Sequence, residues 1–124
     1  MRGCAMYQKR IYIAGPMRGI EKHNYAEFRR VAGIFDSNPD LRAAWNVVSP
    51  VDLSWSFGSS ADDLDANPEL LDQLMVIELA VVKSCDAILL LRGWERSEGA
   101  RAELRVAIDK KLEIYTQESG VLVR

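Results

Sequence analysis

Four short apolar runs constrain this chain more than anything else in it. Ile11-Tyr12-Ile13-Ala14, residues 45–48, residues 86–91 and residues 112–115 are each of strand length and show no regular polar alternation. A strand with one face in water alternates apolar and polar side chains, whereas one covered on both faces reads as continuous hydrocarbon. The segments between the runs carry helical periodicity. Residues 24–35 place Phe28, Val31, Ala32 and Phe35 three and four apart, and Ser37-Asn38-Pro39 stops that pattern. Asn67-Pro68-Glu69 is a strong helix start, with Asn as cap, Pro at the first position and an acid in the first turn. That helix is expected to run to about Ser84, and another to cover residues 99–111.

The resulting order, β-α-β-loop-α-β-α-β, predicts a parallel sheet covered by helices on both faces. We therefore expect a three-layer α/β sandwich of the flavodoxin-like or Rossmann-like kind, with four or five mostly parallel strands. The 124 residues leave room for a single domain, with residues 1–9 a loose N-terminus. Residues 51–66 read as a loop rich in Gly, Ser and Asp around Trp55 and Phe57, and residues 120–124 are left open as a possible edge strand. In such sheets ligands sit beyond the carboxyl ends of the strands. Here those ends carry residues 15–19, 49–53 and 92–99.

Charge excludes some partners. The net charge of −2 gives no electrostatic reason to bind a nucleic-acid polymer or an anionic membrane, and no run is long and apolar enough to span a bilayer. The first ten residues lack the apolar middle of a signal peptide, so a reducing cytoplasm is the expected location. Cys4 and Cys85 do not suggest a disulfide framework, and Cys85 at the end of an apolar helix reads as a small hydrophobe. No Cys–His cluster points to a metal. Asp62, Asp63 and Asp65 lack the glycine and later ligands of a calcium loop, and His23 reads as a solvent-facing loop residue. Neither a metal nor a cofactor is expected.

Two glutamates fall on faces that are otherwise apolar. The helix from Pro68 has a stripe of Leu71, Leu74, Met75, Val82 and Cys85, and Glu78 lies in its middle. Either Glu78 faces a pocket or it turns to the edge of a broad stripe. Glu103 lies one turn after Ala100 and one turn before Ala107, in a helix expected to bury Ala100, Leu104, Ala107 and Ile108. It is either a pocket residue or a surface partner of Arg101 or Arg105. Two carboxyls facing one cleft divide labour well, because burial and mutual repulsion raise one pKa while the other stays ionised. Glycosidic bonds, with a cationic transition state at the sugar carbon, use such pairs.

The run Ile11-Tyr12-Ile13-Ala14-Gly15-Pro16-Met17-Arg18-Gly19, then Cys85-Asp86-Ala87-Ile88, then Gly93-Trp94-Glu95-Arg96-Ser97-Glu98-Gly99-Ala100-Arg101-Ala102-Glu103 resembles the small, often phage-encoded proteins related to nucleoside 2-deoxyribosyltransferases. The likeness runs in order over most of the chain. It implies that Glu103, four residues after Gly99, is a nucleophile for the anomeric carbon of a sugar. It implies that Glu78, where relatives usually carry Asp, assists at the base or sugar, and that Tyr12 positions the nucleophile. Tyr12 read alone is equally an ordinary core aromatic.

Ser97, where transferases acting on free nucleosides tend to carry Asp, makes the chain similar to deoxynucleoside 5′-monophosphate N-glycosidases. The resemblance then implies a phosphate site from Gly15, Pro16, Met17, Arg18, Gly19, Ser97 and Gly99. Gly-rich turns opening onto helix N-termini bind phosphate readily, and Arg18 offers a bidentate contact. Arg18 read alone is a solvated loop residue, and Ser97 a plain N-cap. Trp94, Trp55 and Phe57 offer faces for a base or for packing. The expected partner is a small nucleotide or nucleoside, and relatives that complete their sites with a neighbouring subunit imply a homodimer or larger homo-oligomer. The alternative is a binding or sensing module that keeps the fold without turnover.

Overall fold

A computed structural model describes residues 8–17, 24–56, 68–118 and 121–123. Five strands form one sheet in the order β2-β1-β3-β4-β5. These are β1 (Lys9–Ala14), β2 (Trp45–Val48), β3 (Ala87–Leu90), β4 (Glu113–Glu118) and β5 (Val121–Val123). The first four are parallel, and β5 closes the edge antiparallel to β4. In register, Tyr12 faces Val48 on one side and Ile88 on the other, and Leu90 faces Thr116. Lys9, expected within a loose N-terminus, already belongs to β1, and residues 121–123 supply the edge strand left open above.

Helices cover both faces, which is the flavodoxin-like three-layer arrangement that the apolar runs require. Alternation along each strand sorts the core into two halves. Ile11, Ile13, Ala87 and Leu89 face α1 (Tyr25–Ser37), meeting Tyr25, Phe28, Val31 and Phe35. Tyr12, Ala14, Ile88 and Leu90 face the opposite layer, meeting Val82 of α4 (Pro68–Lys83), Cys85, and Ala100 and Ala107 of α5 (Glu98–Asp109). All four of Ile11, Tyr12, Ile13 and Ala14 are without solvent contact, as a strand covered on both faces should be.

Two short helices were not expected. Asn38-Pro39 ends α1 but also starts α2 (Pro39–Ala44), because the Asn38 side chain accepts from the N–H groups of Asp40 and Leu41. Ser49-Pro50 likewise starts α3 (Pro50–Ser56), with the Ser49 hydroxyl accepting from the Val51 N–H at 3.2 Å. The segment expected as loop from residue 51 therefore opens in helix, and its remainder, with Phe57 and the acidic run, lies outside the described residues.

The expectation for Ile108 is corrected. It is 56% exposed, and the buried residues of α5 are Ala100, Glu103 and Ala107. The helix is rolled so that Glu103, not Leu104, lies at the centre of its inward face, which carries Ile108 out toward water. The helix ends at Asp109, sooner than expected, where Lys111 takes a left-handed backbone (φ 60°) and the Leu112 N–H bonds the Ala107 carbonyl.

Candidate active site

The order β2-β1-β3 means that the chain leaves β1 toward one side for β2 and returns to the other side for β3. The crevice at the carboxyl ends of β1 and β3 is therefore the place where following segments diverge. A cavity of about 410 Å³ opens there, within the size range of small-molecule sites. Its walls come from three segments: Gly15, Pro16 and Met17 after β1; Asp72, Leu74, Met75 and Glu78 on α4; and Arg96 to Ala100 with Ala102 and Glu103 at the start of α5. Pro50 adds to the rim.

Two glycines hold the first and third walls together. A Cβ on Gly15 would lie 2.7 Å from Leu91 Cβ, so β1 can leave the sheet against β3 only without a side chain. Gly93 takes φ +88°, which L side chains rarely adopt, and turns the chain after β3 across Pro16. A three-residue 3₁₀ turn, Trp94–Arg96, then delivers Ser97 as the N-cap of α5. The Ser97 hydroxyl accepts from the Ala100 N–H at 3.1 Å. The N–H groups of Glu98 and Gly99 have no acceptor within the helix, as at any N-terminus.

The floor of the cavity is acidic. Glu78 and Glu103 are 6% and 4% exposed, and both line the space. The Tyr12 hydroxyl, wholly buried beneath them, donates to Glu103 Oε2 at 2.6 Å. That is the length of a charge-assisted O–H···O⁻ bond, and it satisfies a phenol that would otherwise be buried without a partner. Glu78 has no hydrogen bond among the described residues.

The electrostatics follow from this geometry. Burial pushes the Glu78 carboxyl up to about 8, so it holds its proton at neutrality. Burial, and then the neighbouring Glu78, also raise Glu103 well above the ordinary carboxylate value, while the Tyr12 hydrogen bond works the other way. Burial, and then the charge of Glu103, push the Tyr12 phenol up, so it remains a donor. Burial works against ionisation of both acids, and of the two only Glu103 has a hydroxyl, that of Tyr12, to favour its charged form. The site thus pairs two buried carboxyls, one of them hydrogen-bonded by a phenol.

The cavity brings together Gly15, Pro16, Met17, Glu78, Ser97, Gly99 and Glu103 of the residues expected from sequence, with Tyr12 directly behind them. Arg18 and Gly19 lie outside the described residues. Trp94 does not line the described cavity; it is partly buried and packs against the core cluster that includes Tyr12, Ala100 and Ala107. Sequence reasoning did not single out Asp72, Met75 as a wall residue, or Arg96. The signal for Arg96 was present, since it lies in the turn between a strand end and a helix N-cap. Among the described residues no group of three or more His, Cys, Asp or Glu side chains is placed to hold a metal ion, and no helix is long and apolar enough to cross a membrane.

Fold and site together define a flavodoxin-like α/β domain whose switch-point cavity is floored by a buried carboxyl pair. The profile of the domain of unknown function DUF4406 matches residues 9–116, nearly the whole of this domain, and the chain belongs to that family. The comparison with curated proteins returns no match.

Proposed function

We propose that the chain breaks or transfers the N-glycosidic bond of a nucleoside 5′-monophosphate or nucleoside, ribo or deoxyribo, by double displacement at Glu103. The observation that carries this reading is the Tyr12–Glu103 hydrogen bond at the floor of a cavity that also holds a protonated Glu78. With Oε2 occupied by the Tyr12 hydroxyl, Oε1 of Glu103 attacks the anomeric carbon. The carbon–nitrogen bond breaks, its electron pair leaves with the base, and Glu78 delivers the proton that the base needs. Water, or a second base, then attacks the same carbon. It gives its proton to the Glu78 carboxylate, and the electrons of the ester bond return to Glu103.

Burial favours this division of roles, because a solvated glutamate neither keeps a proton at pH 7 nor loses its hydration shell to a sugar. Ser97, Gly99 and Arg96 at one rim, with the first N–H groups of α5, suit a 5′-phosphate. Pro16, Met17, Leu74 and Met75 offer the apolar surface that a base requires. The same reading makes the protein a cytoplasmic homodimer or larger homo-oligomer, which sedimentation checks.

Base release, followed by chromatography on ribo- and deoxyribonucleosides and their 5′-monophosphates with and without an acceptor base, is the test. Release is expected from wild type and is expected to vanish in Glu103→Gln. One observation favours a second reading, a binding or sensing module. The same burial that raises Glu78 raises Glu103, and a protonated Glu103 binds a sugar without attacking it. Saturable binding without release from any substrate assigns the cavity to that role.

A further inference from the structure

Gln117 stands one residue beyond the last pairing of β4 with β3, and on its other edge it pairs with Leu122 of β5. Both ends of its side-chain amide are used. Oε1 accepts from the Arg92 N–H at 3.0 Å, and Nε2 donates to Glu27 Oε2 at 2.7 Å. Glu27 is itself fixed, since Arg30 donates to its two oxygens at 2.8 Å each. The Arg30 contacts, with further help from Gln117 and Arg92, hold its carboxyl down to about 2. The Glu27 end of this tie is therefore ionised at any working pH.

The two segments joined in this way lead into opposite walls of the cavity. Arg92 opens the turn that carries Arg96, Ser97 and Gly99. Glu27 lies in the first turn of α1, directly after Asn24, whose side-chain amide donates to the Pro16 carbonyl at 3.0 Å. One amide on β4 therefore couples the wall after β1 to the wall after β3, while making no part of the described lining itself.

We propose that Gln117 is a positioning residue that sets the width of the cavity between the 15–17 and 96–99 walls, and so sets substrate affinity. What fills the cavity rests on the glycosidic-bond reading above. Tyr12, Glu78 and Glu103 are placed by β1, α4 and α5, and none of them bonds to the Gln117 amide, which is used by Arg92 and Glu27. Loosening it raises KM and leaves kcat nearly unchanged. An amide suits this place, because Arg92 requires an acceptor and Glu27 a donor.

The test compares base-release kinetics for wild type, Gln117→Leu and Gln117→Glu, with Asn38→Ala as a control that weakens a distant helix cap. Amide exchange by mass spectrometry is followed over residues 25–30 and 91–99 in the same proteins. Gln117→Leu and Gln117→Glu are expected to raise KM about tenfold, as the loss of hydrogen bonds to a charged group allows. Exchange is expected to quicken in both segments, and Asn38→Ala to change neither readout. Adding Glu27→Gln to Gln117→Glu restores a donor–acceptor pair and is expected to bring KM back toward wild type, a recovery that a general loss of stability does not show. An unchanged KM in Gln117→Leu, or a double variant no better than Gln117→Glu, overturns the proposal. If wild type releases no base, the glycosidic reading falls instead, and the exchange rates alone decide the tie: unchanged rates in Gln117→Leu overturn it.

Discussion

Glu78→Gln is the perturbation that most directly interrogates the floor of the cavity, because its outcome does not depend on knowing the substrate. The Glu78 carboxyl titrates near 8 in the folded protein against an ordinary value of 4.5. The folded state therefore binds a proton that the unfolded chain has already lost over that interval. Stability contributed by this group is fully present below about pH 4.5 and declines as pH rises toward 8, at up to about 1.4 kcal/mol per pH unit. Across the whole window the loss amounts to at most about 5 kcal/mol, a large share of the stability of a small domain. Glutamine keeps the shape and removes the titration. Urea unfolding followed by tryptophan fluorescence at pH 5, 7 and 9 is the assay. Wild type is expected to weaken steadily over this range. Glu78→Gln is expected to show a slope shallower by up to one proton and to become the more stable protein at pH 9. A wild type whose stability is flat or rises from pH 5 to 8 refutes the burial argument, as does a variant with the wild-type slope.

Three further outcomes follow from the same geometry. Tyr12→Phe removes the 2.6 Å donor to Glu103, an interaction worth about 2 kcal/mol; the acid limb of the kcat profile is expected to move up by roughly 1–2 pH units, with base release down at neutral pH. Gly15→Ala drives a methyl to 2.7 Å from Leu91 Cβ and is expected to lower stability by about 1–3 kcal/mol in the same urea assay. Glu27 behaves oppositely to Glu78. Its lowered carboxyl contributes stability above pH 4.5 that is lost as pH falls toward 2, so Glu27→Gln is expected to flatten the acid side of the wild-type stability curve.

Much of this was legible in the sequence because burial on both faces leaves a plain signature. Four short, mostly apolar runs mark the four parallel strands, and β2 begins and ends where its run does. Glu78 and Glu103 could be singled out because helical periodicity puts residues three and four apart on one face, while leaving some freedom in how the helix rolls about its axis. The same tolerance explains the error at Ile108: a helix rolled by part of a turn to bring Glu103 inward sends Ile108 out. The short helices α2 and α3 were missed for a different reason. Asn38-Pro39 and Ser49-Pro50 carry the start signal recognised at Asn67-Pro68, but no apolar periodicity follows in helices of six and seven residues. The Arg92–Gln117–Glu27 tie leaves no trace in sequence at all, since it joins three polar residues from separate segments whose meeting is decided by strand order.

Tyr12 has one more consequence. Its hydroxyl reaches Glu103 only while β1 is paired with Tyr12 opposite Val48 and Ile88. Sliding the strand by one residue would set Ile11 or Ile13 beneath the buried carboxylate and turn the phenol toward α1. A buried carboxyl and a buried phenol that lose each other as partners cost about 1–3 kcal/mol each. The acid proposed to perform the chemistry therefore also proofreads the fold, and a chain that misaligns its central strand forfeits stability and site in the same step.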